Sequence, residues 1–287
     1  MAIRKLLLPL TGTAAGEAAL STALTIARYW NAHVTALHVR VDSRDVAPLA
    51  GEGLSGAMIE EMMSATEKES SDRAYAVRAM FDRFVAQHQV VVQEPHPKLG
   101  HATAHFASVT GREEDIVAQQ ARLADLTVVP HPEADEDVSS SDALHAVLFD
   151  SGRPVLISPQ VPPATVGTRI CIAWNGTAES ASSVQAALPW MQRAEAVRIL
   201  SAEGYQRRGP GAPDLAAYLA LHGVHADIAV FHSQGSVGAG LLAAAVDFGC
   251  DLLSMGAYSH SRLRQLILGG VTRHVLENAT LPVMMNR

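Results

Sequence analysis

Arg4–Thr13, RKLLLPLTGT, and Thr168–Thr177, TRICIAWNGT, are the two stretches on which the fold turns. Each is an apolar run of strand length that ends in a glycine-bearing turn, and each is followed by the same sequence of patterns. Leu7–Thr13 lies over Cys171–Thr177, so that Gly12 falls on Gly176. After the first comes AAGEAALSTALTIARYW with helical spacing, then HVTALHV, which alternates as a strand. After the second come AESASSVQAALPWMQRA and VRILSA in the same order. Both halves also close alike. ADLTVVP matches CDLLSMG, and ALHAVLFDSGRPVLISP matches VTRHVLENATLPVMMNR, with Pro154 on Pro282. A period of roughly 160 residues is far too long for a solenoid unit and marks a duplicated domain. The Pro- and Gly-bearing stretch QVPPATVGT, Gln160–Thr168, reads as the linker, which predicts domains at 1–160 and 168–287.

Within each half, continuous apolar strands alternate with helices. That pattern predicts an α/β fold whose mostly parallel, doubly wound sheet carries helices on both faces. Ligands of such sheets sit beyond the carboxyl ends of the strands, at the switch point. Composition narrows the partners. A hydrophobic share of 48% against 18% charged residues supplies a large core, and a net charge of -7 offers no general attraction to a nucleic-acid backbone. No run approaches the roughly 20 apolar residues of a membrane span, and the N-terminal apolar run is too short for a signal peptide. Cys171 and Cys250 lie inside apolar runs, as buried thiols of a reducing compartment would, and a cytoplasmic protein is expected.

The stretch MGAYSHSRLRQLILGGVTRHVL, Met255–Leu276, follows the buried strand of the second half. Gly256 can take a positive φ and let a ligand approach closely. Gly269 and Gly270 precede a helical segment whose free amides and dipole favour an anion, and Thr272 adds a hydroxyl there. Glycine before a helix is also a common way to make a turn.

The spacing Gly256, two residues to Ser259, nine more to Gly269, then Gly270 resembles the nucleotide loop of the universal stress protein family, in which Gly, Gly, Gly and Ser or Thr occupy those four places. Ser259 and Gly270 depart from it. The resemblance extends along the chain as two family domains in tandem, each a five-stranded Rossmann-like, adenine nucleotide alpha hydrolase-like unit. It implies an adenine nucleotide in the second domain, ATP or another, with Mg as an optional companion. Asn175 would stand where ATP-binding members carry an adenine-contacting Asp, keeping an acceptor and adding donors. Ala173, Gly176 and Ala202 would line the base and ribose side; Met255, Gly256, Ser259, Gly269, Gly270, Val271 and Thr272 would line the phosphate side. The implied protein is a nucleotide-dependent stress regulator with an unidentified protein partner, at most a slow ATPase. A nucleotide-free scaffold with a relic loop is the alternative.

The first half is expected to have lost the nucleotide. Thr11 replaces the adenine-contacting acid, and Glu133, Asp135, Glu136 and Asp137 fill the phosphate-loop position. Other motifs read as structure. Trp174 ends a buried strand and belongs to the core. Gly238 and Gly240 make a tight start to a helix, because the acidic partner of a dinucleotide fingerprint is missing. His101 and His105, if on a strand, lie about 13 Å apart and share no ion. Neither a P-loop nor a G-x-S-x-G motif is present. The insertion Gly51–Phe81 reads as a helix laid on the sheet, with Met58, Ile59, Met62, Met63 and Ala65 filling gaps. In the family the closing strand, here LPVMMN, pairs across a dimer. A tandem chain can satisfy that pairing internally as a pseudo-dimer, with a homodimer still open.

Overall fold

A computed structural model describes residues 2–42, 55–93, 100–132, 142–205, 209–233, 235–257 and 270–287. The first half runs β1 (Lys5–Pro9), α1 (Ala14–Trp30), β2 (His33–Arg40), α2 (Gly56–Gln87), β3 (Val91–Val92), β4 (Thr103–Thr110), α3 (Glu113–Ala121), β5 (Leu126–Val129), α4 (Asp142–Asp150) and β6 (Val155–Ile157). The second runs β7 (Arg169–Ala173), α5 (Ala178–Met191), β8 (Ala196–Ala202), α6 (Ala212–Leu221), β9 (Ala226–Phe231), α7 (Val237–Asp247), β10 (Leu252–Gly256), α8 (Gly270–Asn278) and β11 (Val283–Asn286). All the strands form one sheet in the order β3-β4-β2-β1-β5-β6-β11-β10-β7-β8-β9. Neighbours are parallel except β6 and β11, which pair antiparallel through Val155↔Met285, Leu156↔Met284 and Ile157↔Val283. The two-residue β3 is an edge strand added to the five expected of the first half.

Strand alternation divides the core in two. Leu6, Leu8, Ile170 and Ile172 face one side with Leu20, Leu24, Phe81, Trp190 and Leu215. Leu7 and Cys171 face the other with Val117, Leu144, Leu241 and Val275. Both cysteines are buried free thiols. The duplication reaches single hydrogen bonds. Asp125 accepts from the amides of Arg4 and Lys5 at 2.7 and 3.0 Å, and Asp251 accepts from Thr168 and Arg169 at 3.0 and 2.8 Å. Asp251 also holds the linker through Thr165 Oγ1 and the Gly167 amide. Thr13 caps α1 by accepting from the Gly16 amide, as Thr177 caps α5 by accepting from that of Ser180.

Helices α1 and α5 meet across the junction through aromatic rings. Trp30 and Trp190 pack edge to face at 5.2 Å, and the Arg193 guanidinium lies 4.3 Å from the Tyr29 centroid and 4.4 Å from that of Trp30.

Helix α2 departs from expectation. Its buried residues are Val77, Met80, Phe81 and Val85, whereas Met58 is 50% and Met62 38% exposed. The methionine stripe therefore does not fill gaps on the sheet. The N-terminal turns run past the last apolar partner, and the packed stripe lies in the C-terminal half. His105 is on β4, opposite Thr35 of β2, and His101 precedes the strand. No group of three metal-ligating side chains occurs among the described residues, and none of their helices is long and apolar enough to cross a membrane.

His33 opens β2 in register with Lys5 and Thr103, its Nδ1 2.8 Å from Thr103 Oγ1. Burial above all, then His105 and Lys5, lower its pKa from 6.5 to about 4. The unfolded chain thus binds more protons between those values. Stability from this residue is complete above pH 6.5 and lost as pH falls towards 4. Urea unfolding across that window should show the loss, and a His33→Gln variant should flatten it. Equal pH slopes in the two proteins would remove His33 as the source.

Candidate functional site

Three strand ends converge at the carboxyl edge of the second half: β7 with Ala173–Asn175, β8 with Ala202, and β10 with Met255–Gly256. The start of α8 closes the space between them. Ala173, Asn175, Ala202, Met255, Gly256, Val271 and Thr272 all line one cavity of about 70 Å³. Gly176 and Gly270 adjoin it in the chain, and Ser259 and Gly269 lie outside the described residues. So does the acidic stretch Glu133–Asp137 of the first half.

The sequence places the turn after β7 by its glycine, and the backbone explains it. Gly176 has φ +80°, a conformation costly to residues with a Cβ. Beside it the Asn175 Oδ1 accepts from the Thr177 amide at 3.2 Å. That bond orients the carboxamide and leaves its nitrogen as the group available to a base. Trp174 is core, 7% exposed, and its Nε1 donates to the Pro210 carbonyl at 2.9 Å.

Gly256 is glycine for a reason other than the expected one. Its φ is not positive. A Cβ there would stand 2.5 Å from both the Glu179 carbonyl carbon and the Ser180 nitrogen. The first turn of α5 packs against this residue, so glycine is required there by helix-on-strand packing, and its backbone still borders the cavity. Gly270 is the opposite case: it is exposed, and a Cβ would meet nothing within 4 Å among the described residues. Gly238 and Gly240 also serve packing, since Cβ atoms there would strike His274 and Phe231. Ser236 caps that helix by accepting from the Ala239 amide.

Several lining residues escaped the sequence reading, among them Thr177, Ser180, Leu200, Tyr205, Phe231, Val237 and Leu241. Phe231 ends β9 and Val237 opens α7, and the carboxyl-edge rule points to both positions. The described lining bears no formally charged side chain. It is an apolar slot with hydroxyls and one carboxamide, suited to a flat heteroaromatic group.

Gly256→Ala should destabilise the ligand-free protein by about 1–3 kcal/mol through overpacking, whereas Gly270→Ala should leave its unfolding midpoint nearly unchanged. Chemical denaturation of the two variants measures both. Equal effects would contradict the packing argument.

No curated protein matches the chain in sequence. In fold it is similar to a universal stress protein from Archaeoglobus fulgidus DSM 4304, with a TM-score of 0.70 and 15% identity over 99% of this chain and 98% of that one. It is also similar to a functionally unknown protein from Pseudomonas aeruginosa PAO1, with a TM-score of 0.55 and 16% identity over 99% and 92%. Residues 173–287 match the Universal stress protein family. That match runs from the end of β7 to the end of the chain and assigns the family to this second half.

Proposed function

We propose that the chain is a tandem universal stress protein whose second domain, 168–287, binds an adenine nucleotide, ATP with Mg, and changes its protein partners with occupancy. The match of residues 173–287 to the Universal stress protein family supports a stress-response role. The observation that carries the nucleotide reading is convergence. Asn175, Ala202, Gly256 and Thr272 come from four separate segments and border one cavity, at the strand edge where ligands of parallel sheets bind. The base would take the apolar slot and the Asn175 carboxamide. The phosphates would meet the amides at the start of α8, where the dipole favours negative charge. In the sequence His260, Arg262 and Arg264 precede that helix.

Calorimetric titration of Mg-ATP into the intact chain should give one site. Asn175→Asp and Gly270→Ser each restore a family residue and should tighten binding, and Asn175→Ala should weaken it about tenfold, the scale of one hydrogen bond to a polar base edge. A folded protein, free of co-purified nucleotide, that gives no heat at millimolar ATP would establish the nucleotide-free scaffold instead.

We also infer that the chain is an intramolecular pseudo-dimer of a first domain, 1–160, and the second. The antiparallel β6·β11 pairing supports this, because it occupies both closing strands within one molecule. Sedimentation equilibrium at micromolar concentration should return the mass of one chain, 30.4 kDa. A stable mass of twice that would overturn the inference.

A further inference from the structure

The first half holds a cavity of about 610 Å³ at its own carboxyl edge, between the β1–α1 turn, the end of β2 and helix α2. That size lies within the roughly 300–1,000 Å³ of small-molecule sites. Because β6 and β11 run antiparallel, the carboxyl edges of the two halves point in opposite directions, so this cavity is remote from the one at Asn175.

Helix α2 builds it. The connection from β8 to β9 uses a helix of 10 residues, α6, whereas α2 has 32 residues. Its C-terminal half packs on the core through Val77, Met80, Phe81 and Val85, and Arg83 ties it to Glu17 of α1. Further towards the N-terminus, Thr66, Glu69, Ser70 and Arg73 line the cavity. They are spaced i, i+3, i+4 and i+7 and so share one face. Along one helix, the inward side changes from apolar to polar where the core ends and the cavity begins. A surplus helix on a sheet is expected to turn polar residues outward. Here they face a cavity whose opposite wall is also polar.

That wall carries Thr11, Thr13 and Arg40. Arg40 Nη2 donates to Thr110 Oγ1 at 3.0 Å, while its Nε is buried without an acceptor. Arg73 donates to Glu69 at 3.0 Å. Arginines on facing walls suit the planar oxygens of a carboxylate or phosphate, and the threonine and serine hydroxyls suit hydroxyl groups. Glu69 and Glu113 also line the cavity, balancing the two arginines and opposing a polyphosphate.

We propose that this cavity is a second binding site, taking a small hydroxylated molecule with a single carboxylate or phosphate group. Arg40 and Arg73 hold the oxyanion, and the hydroxyls of Thr11, Thr13 and Ser70 read the rest.

Saturation-transfer NMR and calorimetry on the intact chain test this with two probes, D-gluconate for a carboxylate and glycerol 3-phosphate for a phosphate. At least one should bind saturably, and the stronger identifies the oxyanion. Arg73→Ala, at an exposed position unneeded for folding, should weaken binding about tenfold or more, the scale of a charge-assisted hydrogen bond. Ser70→Trp should fill the cavity and abolish binding, whereas Asn175→Ala should leave it unchanged. Failure of both probes to bind, or binding that survives Arg73→Ala and Ser70→Trp, would overturn the proposal.

Discussion

The antiparallel pairing of β6 with β11 is the constraint on which the rest of the molecule depends. Every other strand pairing joins parallel neighbours, and a sheet of that kind could in principle continue in one direction. At β6 the direction reverses. Val155↔Met285 and Ile157↔Val283 are reciprocal pairs about Leu156↔Met284, so a local two-fold passes between equivalent residues of the duplicated halves. An isologous contact of this sort closes on itself. It also buries what would otherwise be two apolar edge strands, each an invitation to pair with another chain. The β6 residues Val155, Leu156 and Ile157 are at most 2% exposed, which measures how completely the junction has become interior.

Helix packing is set by the same reversal. The two-fold brings α1 and α5, which hold equivalent places in the two halves, to one side of the junction. Their ends meet in the Tyr29, Trp30 and Trp190 cluster, with Arg193 lying over two of the rings. This packing has a cost: the indole nitrogens of Trp30 and Trp190 are buried with no acceptor. Close packing also sets the linker. Gly167 has φ +83°, and a Cβ on it would strike the Trp190 ring. A side chain at that position would disturb both the turn and the aromatic seam.

Much of this was legible in the sequence, because it arises from patterns that local physics enforces. Strand geometry in RKLLLPL and RICIA determines which residues face each core, and the matched Asp and Thr positions recur as matched hydrogen bonds and caps. The role of Gly256 was not legible. A glycine after a strand looks the same whether a ligand or a neighbouring helix approaches it, and only the position of Glu179 and Ser180 separates the two. The methionines at the start of α2 misled for a related reason. An apolar stripe shows which face a helix can bury but not where its partner ends, and here the partner ends near Val77.

The shared frame explains why the two halves can differ so far at their carboxyl edges. Each half must keep its closing strand, its Asp-anchored first strand and its capped first helix, since those serve the shared sheet. Strand-to-helix loops at the carboxyl edges are free of that requirement. In the second half the helix after β8 is short, and the described lining of the edge is a narrow apolar slot without formal charge. In the first, a helix more than three times as long stands beyond the sheet and walls a larger cavity with paired charges. The difference arises from one change in loop length between otherwise matched frames. The character of each edge thus resides in the loops and helices beyond each strand's carboxyl end, while the strands themselves hold the frame that the two halves share.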